Sequence, residues 1–208
     1  MKNKERKLSK AELERREKFD KICQTMQKNG YTKIDNTISV KKANVVALFN
    51  MLPFVVIIIF AYFSVNQVKN FSFNFSWVYL WIIILIICHE LIHGITWAIF
   101  AKTGFKSISF GVIWKYLTPY CTCSEPLAKL PYFIGAIMPT IILGFVLAIV
   151  AIFTASPTML ILSVFLTFGG GGDFYIIHKL LKYKSKNKKT LYYDHPYECG
   201  FVVFEKQY

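Results

Sequence analysis

Acidic residues are scarce in this 208-residue chain: 12 Asp and Glu stand against 25 Lys and Arg, which gives a formal net charge of +13. Nucleic-acid-binding domains often have such an excess, but no motif of interleaved basic and aromatic residues accompanies it here. The glycines and lysines form no phosphate-binding loop, and an odd number of cysteines, five, fits no disulfide framework. We therefore expect no nucleic-acid partner, no nucleotide site and reduced thiols.

No cleavable signal peptide is expected, because the first 42 residues are polar and charged and contain no short apolar region before a small-residue cleavage site. Four later stretches are apolar and long enough to cross the hydrocarbon core of a membrane, which takes about 20 helical residues. These stretches are residues 43–65, 77–101, 131–153 and 158–182. The sequence thus predicts a mainly α-helical polytopic membrane protein with four transmembrane helices. Its cytoplasmic N-terminal segment would be residues 1–42, its membrane core 43–182 and its cytoplasmic tail 183–208.

The basic residues are unevenly distributed along the chain. Thirteen lie before the first apolar stretch, one between the first and second, four between the second and third, none in the TASPT connection, and seven from Lys179 onward. Loops rich in Lys and Arg remain in the cytoplasm. The alternation therefore predicts four spans with both termini in the cytoplasm. We expect a multi-pass protein of the plasma membrane, with the lipid bilayer as its first partner.

The second apolar stretch is interrupted by CHELIHG, residues 88–94. On an α-helix, residues four apart are separated by about 40° around the axis, so His89 and His93 point the same way. Glu90 lies about 100° from His89, where its carboxylate can reach a water bound to a shared metal but not the metal itself. This HExxH pattern is the arrangement of zinc metallohydrolases. It predicts one Zn²⁺ per chain, with Glu90 as the catalytic general base.

Ionisable side chains in the middle of a membrane helix are costly. Each costs about 2.5 to 3.5 kcal/mol on insertion scales, so such residues normally face a helix bundle or a watery cavity and have a function. A buried polar network or a proton path is the alternative to a metal site. The alternative to an enzyme is a membrane protein that binds a metal but hydrolyses no substrate, such as a transporter or an inactive scaffold. A transporter would need more polar groups along a path, and the first and third stretches contain almost none.

A catalytic zinc needs a third protein ligand besides the two histidines. Asp173, in the GGGGD segment of the fourth stretch, is the best candidate because of its depth. At 1.5 Å per residue it lies about 22 Å from the outer end of its helix, between His89 at about 18 Å and His93 at about 24 Å. His178 is the alternative ligand, about 7 Å deeper.

Asp194 and His195 are more distant candidates, because they reach the site only if the C-terminal tail folds back beneath the membrane.

The charges of the predicted site balance. Zinc at +2 with Asp173 and Glu90 both ionised sums to a neutral site, which the membrane interior tolerates. The glycines at 169–172 either let a neighbouring segment approach closely or unwind the helix.

Two patterns outside the apolar stretches predict regular structure. Residues 9–30 are typical of an amphipathic helix that packs on the membrane surface or on the rest of the protein. Alternation after the second stretch predicts a strand or hairpin at the cytoplasmic membrane face. The alternating apolar residues of this strand are Ile108, Phe110, Val112 and Trp114. The segments 31–40 and 197–206 are candidates to pair with it in one small sheet.

The chain resembles a family of small bacterial multi-pass membrane proteins grouped as zincin peptidases within a domain of unknown function. More distantly, it resembles the site-2 intramembrane zinc metalloproteases. The resemblance extends from Val45 to the C-terminus. It rests on HELIH, the β-rich loop after it, Pro139 in the third stretch, the Gly-Asp element at Asp173 and the tail segment DHPYECGF.

This resemblance implies roles for four residues. In site-2 proteases HExxH supplies two metal ligands and the base, and an aspartate supplies the third ligand; the matching residues are His89, His93, Glu90 and Asp173. The family aspartate stands in a Leu-Asp-Gly or Asn-Pro-Asp-Gly setting, whereas Asp173 follows glycines and precedes Phe174. The resemblance also implies a membrane-associated protein substrate, whose unwound helix would pair with the strand at 108–114 by β-augmentation.

Overall fold

The computed structural model describes residues 10–38, 40–66, 73, 75–114, 118–185, 189–196 and 198–207. Its helices are α1 (Lys10–Lys28), α2 (Val40–Val65), α3 (Phe75–Phe100), α4 (Lys129–Pro139), α5 (Leu147–Thr154), α6 (Pro157–Gly169) and α7 (Gly171–Lys182). Its strands are β1 (Tyr31–Ile38), β2 (Ile108–Ile113), β3 (Thr118–Cys123), β4 (Thr190–Asp194) and β5 (Cys199–Lys206). A short 3-10 turn precedes β2, and a π-helical segment, Thr140–Val146, joins α4 to α5. The prediction of a mainly α-helical protein with small β elements is confirmed.

Three helical stretches in the described part of the chain are long and apolar enough to cross a membrane, namely Val45–Val65, Phe75–Phe100 and Lys129–Thr154. The α6–α7 pair gives a fourth only if two helices bent by 44° count as one span. Large apolar side chains on these helices point outward, with Phe60 72% exposed and Phe153 86% exposed. Such surfaces are typical of helices that face lipid. The fold is therefore consistent with a membrane protein.

The bend between α6 and α7 lies at Gly170. A Cβ atom at this position would lie 2.0 Å from the Thr140 hydroxyl oxygen, and one at Gly171 would lie 2.8 Å from the Ala47 Cβ. The two middle glycines of the run thus allow α2 and the π-helical segment to approach the broken helix closely. Both roles expected for the glycines, close approach and interruption of the helix, are present in the structure.

β5 is the central strand of a three-stranded antiparallel sheet with the order β1-β5-β4. Its FVVF segment is buried on both faces, as expected for a continuous apolar run in a strand that is covered on two sides. Phe201 and Val203 pack toward the helix bundle, whereas Val202 and Phe204 pack toward α1. The sheet therefore connects the bundle to the N-terminal helix.

The outer face of this sheet is covered by α1. Phe19 and Met26, on the apolar side of the helix, are 4% and 8% exposed and pack with Val202 and Phe204. The helix expected from residue 9 begins at Lys10, and residue 9 itself lies outside the described residues. The apolar face of the amphipathic helix thus packs on the protein.

A separate hairpin is formed by β2 and β3. The predicted strand is present from Ile108 to Ile113, but Trp114 lies in the turn that follows and is 79% exposed. The expectation that the segments 31–40 and 197–206 pair with this strand is wrong, because they pair with each other as β1 and β5. The apolar run of β5 needs cover on both faces, and the half-exposed hairpin does not provide it. Residue 197 lies outside the described residues.

The sheet closes one end of the helix bundle. Trp97 near the end of α3, Tyr132 at the start of α4 and Leu180 near the end of α7 form one apolar cluster with Phe201 and Val203. The hairpin between α3 and α4 contributes Cys121 and Cys123 to the same cluster. The described parts of the three segments richest in Lys and Arg therefore gather at this end of the bundle.

Candidate metal centre

Two histidines and one carboxylate are brought together by α3 and α7. His89 Nε2 lies 3.1 Å from Asp173 Oδ2, and His93 Nε2 lies 3.3 Å from the same oxygen. The donor atoms of the three residues all lie within 4.8 Å of one another, and among the described residues they are the one group of three potential ligands. The fold therefore places the three expected ligands around one point.

The donor set fits zinc. Atoms bound to one tetrahedral zinc at about 2.0 to 2.1 Å lie roughly 3.3 Å apart, which is close to both distances from the Asp173 oxygen. Imidazole nitrogen and carboxylate oxygen are common zinc ligands, and three protein ligands leave the fourth position to water or substrate. His89 and His93 are 8% and 3% exposed, so little water competes for their nitrogens. Zinc binding by these residues stays a prediction.

A backbone carbonyl fixes the orientation of the His93 ring. His93 Nδ1 lies 2.7 Å from the Gly135 carbonyl oxygen, and since that oxygen can only accept, Nδ1 carries the proton and donates it. With a metal bound, the neutral ring would present its Nε2 lone pair on the side that faces Asp173, as histidine ligands of metals do. Trp97, one turn further along α3, stacks on His93 with centroids 5.1 Å apart and planes 17° apart.

The three residues line a cavity of about 460 Å³. Glu90 lines the same cavity and is half-buried, and its carboxylate lies near the backbone N–H of Cys121 on β3. Glu90 is next to His89 on the helix but is not in the group of three donors. Its carboxylate is therefore available to act on a molecule in the cavity.

His178, the alternative ligand, does not belong to this group. It follows Asp173 by five residues on α7, which rotates it about 140° around the helix axis. Its side chain is exposed. The geometry favours Asp173 over His178 as the third ligand.

The strand expected to receive a substrate contributes little to the cavity. Its partner β3 lines the cavity along most of its length, whereas β2 contributes Ile113 at its end. Phe110 and Val112 are 45% and 39% exposed, and Ile108 is half-buried. Substrate pairing with Ile108, Phe110, Val112 and Trp114 stays a prediction.

The C-terminal tail folds back against the site, so that Asp194 and His195 line the cavity. Asp194 is 8% exposed, and it accepts hydrogen bonds from the Tyr132 hydroxyl at 2.6 Å and from the Cys123 backbone N–H at 3.1 Å. Burial raises the pKa of Asp194 to about 6, although both hydrogen bonds favour its ionised form. Sequence reasoning gave these two residues little weight. The apolar FVVF run is the signal that could have placed the tail against the bundle.

Comparison with known proteins identifies the family of the chain. No curated protein and no solved structure gives a significant match. A family model described as "DUF3267: Putative zincin peptidase" matches residues 82–187, which are 106 of the 208 residues. The matched region contains the whole His89–His93–Asp173 group, and β4 and β5 follow it. The description indicates a metallopeptidase and implies zinc as its metal. The chain belongs to this family of zincin peptidases.

Proposed function

We propose that the protein is a zinc-dependent intramembrane endopeptidase that hydrolyses a peptide bond of a membrane-associated protein. The observation that carries the proposal is the convergence of His89, His93 and Asp173 beside a cavity that Glu90 also lines. Three ligands and an adjacent carboxylate are the groups that metal-assisted peptide hydrolysis requires. The same residue types serve in the site-2 metalloproteases, which the chain resembles.

Each residue of the site has a distinct role in this proposal. His89, His93 and Asp173 would hold zinc, which when bound polarises a carbonyl group and lowers the pKa of a bound water to about 7. Glu90 takes a proton from the attacking water and returns it to the leaving amine. The Cys121 backbone N–H, which lies near the Glu90 carboxylate, would help to hold it in place for both transfers.

We also propose four spans in the plasma membrane, with both termini in the cytoplasm. The bent α6–α7 pair would be the fourth span. The position of the basic segments at the sheet end of the bundle supports this topology, since such segments stay in the cytoplasm. An extended segment of a membrane-associated substrate would then enter the cavity from the cytoplasmic end.

The position of Glu90 favours an enzyme over a protein that only binds a metal. A transporter or an inactive scaffold would need the three ligands, but it would have no use for a fourth ionisable side chain beside them. Placing a carboxylate in a membrane helix costs about 2.5 to 3.5 kcal/mol. Glu90 lines the cavity next to His89, where a general base is needed.

The experiment measures zinc content and peptide cleavage on purified full-length protein. The variants are Glu90→Gln, Asp173→Ala and His178→Ala, with His178→Ala as the matched control on the same helix as Asp173. We expect Glu90→Gln to retain zinc and to cleave about 10²- to 10⁴-fold more slowly. Asp173→Ala should lose zinc and activity, and His178→Ala should retain both.

Three outcomes would contradict the proposal. Wild-type protein without stoichiometric zinc would refute the metal site. Zinc retained in Asp173→Ala but lost in His178→Ala would refute the ligand assignment. Undiminished cleavage by Glu90→Gln would show that Glu90 is not the base.

A further inference from the structure

Asp194 lies in the C-terminal segment that follows the family-matched residues, and its carboxylate joins three elements of the fold. The Tyr132 hydroxyl, on α4, donates a hydrogen bond to Oδ1 at 2.6 Å. The Cys123 backbone N–H, on β3, donates one to Oδ2 at 3.1 Å. Both carboxylate oxygens are thus used to hold the end of β4 against the start of α4 and against the hairpin.

Tyr132 continues this set of contacts toward the metal centre. Its ring stacks on Trp97 with centroids 5.8 Å apart, and its carbonyl oxygen accepts a hydrogen bond from the Trp97 indole N–H at 3.2 Å. Trp97 in turn stacks on His93. Gly135, one turn after Tyr132, accepts the hydrogen bond from His93 Nδ1. The first turns of α4 therefore support the His93 ring both directly and through Trp97.

We infer that Asp194 is a positioning residue for His93, acting through Tyr132, so that the C-terminal sheet is part of the metal site. The inference rests on the proposed function only in requiring that the site binds a metal. Groups that orient a metal-binding histidine commonly change metal affinity or activity by 10- to 100-fold when they are removed. Asp194 reaches His93 through one hydrogen bond and two stacked rings.

Both groups that contact the Asp194 side chain are hydrogen-bond donors, and a carboxylate can accept from both. It accepts at both oxygens, whereas the amide of an asparagine of nearly the same shape accepts at one oxygen and donates from its nitrogen. A hydroxyl-to-carboxylate bond of 2.6 Å lies in the short range of charge-assisted hydrogen bonds. Asp194→Asn and Tyr132→Phe therefore weaken the same connection from opposite ends.

The test uses full-length protein in detergent with Co²⁺ in place of zinc, because the visible absorption of Co²⁺ reports ligand geometry. The variants are Tyr132→Phe, Asp194→Asn and the double variant. Tyr183→Phe is the matched control. It removes a hydroxyl that donates to Glu205 at 3.0 Å, another hydrogen bond between a tyrosine and a carboxylate of the sheet.

We expect Tyr132→Phe and Asp194→Asn each to weaken Co²⁺ binding by about 10-fold, the lower end of the range for direct partners of a metal ligand, and to change the visible spectrum. The double variant should lose little more than Asp194→Asn alone, because both substitutions weaken the bond between Tyr132 and Asp194 and such effects are not additive. Tyr183→Phe should lower thermal stability and leave Co²⁺ affinity and spectrum unchanged. A general loosening of the sheet would instead change all four proteins alike.

Unchanged Co²⁺ affinity and spectrum in folded Tyr132→Phe would overturn the inference, and so would an equal change in Tyr183→Phe. Tyr132→Phe removes one oxygen atom, so it carries the test if Asp194→Asn does not fold. Wild type that binds Co²⁺ but cleaves no peptide would refute the proposed function and leave the positioning test intact. Cleavage by wild type together with unaltered metal binding in Tyr132→Phe would refute only the role of Asp194.

Discussion

His93 Nδ1 donates a hydrogen bond of 2.7 Å to the backbone carbonyl of Gly135. The two residues lie on different helices, so the orientation of one candidate metal ligand depends on the packing of α3 against α4. Trp97 lies beside both, because it stacks on His93 and fills the space where a Gly135 side chain would be. A local motif on α3 thus obtains its working geometry from a residue on another helix.

Gly135→Ala should therefore weaken metal binding. A Cβ at this position would lie 2.0 Å from Trp97 Nε1, so the indole must move, and His93 then loses its stacking partner. Forcing extra volume into a packed interior costs about 1 to 3 kcal/mol. We expect lower stability and a lower zinc affinity, measured by thermal unfolding and by competition with a chelating dye.

Gly144→Ala is the control for this variant. Its Cβ would meet the Thr167 hydroxyl oxygen at 2.8 Å, a close contact in the same bundle that involves no residue of the site. It should lower stability while zinc affinity stays at the wild-type value. Equal losses of affinity in both variants would contradict a specific role for Gly135.

The two glycines at the start of α7, Gly171 and Gly172, give a second prediction, which concerns stability alone. Gly171→Ala would place a Cβ 2.9 Å from the Ala47 backbone oxygen, which cannot move aside without shifting α2. Gly172→Ala would meet no atom within 4 Å, and alanine is a better helix former than glycine. We expect the unfolding temperature to fall in Gly171→Ala and to stay or rise in Gly172→Ala. The reverse order would mean that α2 and α7 do not pack closely.

The part of the site that sequence could predict is the part set by helix geometry. The spacing of His89 and His93 fixes their common direction, and the rise per residue brings Asp173 to their level. The contacts of Asp194 could not be predicted in this way. They depend on a tail that packs back on the bundle, and no local rule specifies which hydroxyl its carboxylate meets.

Prediction of the fold was limited by strand pairing. Apolar length identified three helices that are long enough to cross a membrane, and alternation identified the strand from Ile108 to Ile113. Alternation does not specify a partner, however, because any strand edge offers the same backbone donors and acceptors. The pairing of β1 with β5 is determined by which apolar faces can be covered. That property belongs to the assembled bundle and sheet.

A third prediction concerns the thiols of Cys121, Cys123 and Cys199. Burial raises the pKa of Cys123 and of Cys199 to about 11, and it raises the pKa of Cys121 as well. The thiolate is the reactive form of cysteine. At pH 8, about one thiol in a thousand is present as thiolate when the pKa is 11. We expect alkylation by iodoacetamide to be at least about 10²-fold slower in native protein than in denatured protein, as measured by mass spectrometry.

Cys199 is the informative residue in that experiment, because it is half-buried and lines the cavity, so the reagent can reach it. Its labelling rate should rise steadily with pH up to about pH 11, whereas an ordinary thiol levels off near its pKa of about 8.5. Equal labelling rates of Cys199 in native and denatured protein at pH 8 would contradict the raised pKa.

The charge of the cavity is opposite to that of the chain. In the described part of the chain, five acidic side chains and one basic side chain line it, although the whole sequence has 12 acidic and 25 basic residues. The acidic residues are Glu12, Glu90, Asp173, Asp194 and Glu198, and the basic residue is Arg15. With all of them ionised, a divalent metal leaves the lining with two negative charges. We therefore expect peptides with Lys or Arg near the cleaved bond to be preferred over matched acidic peptides.

The salt dependence of cleavage distinguishes the electrostatic effect of the cavity from that of the net charge of the whole molecule. At low ionic strength the net charge of +13 attracts acidic peptides to the surface, but beyond about 8 Å this attraction is screened at 0.15 M salt. Charges inside the cavity are screened less. The ratio of kcat/KM for basic peptides to kcat/KM for acidic peptides should therefore rise as salt increases. Glu198→Gln removes a cavity charge outside the metal centre and should lower this ratio. A ratio below one at 0.15 M salt would show that the cavity charge does not select the substrate.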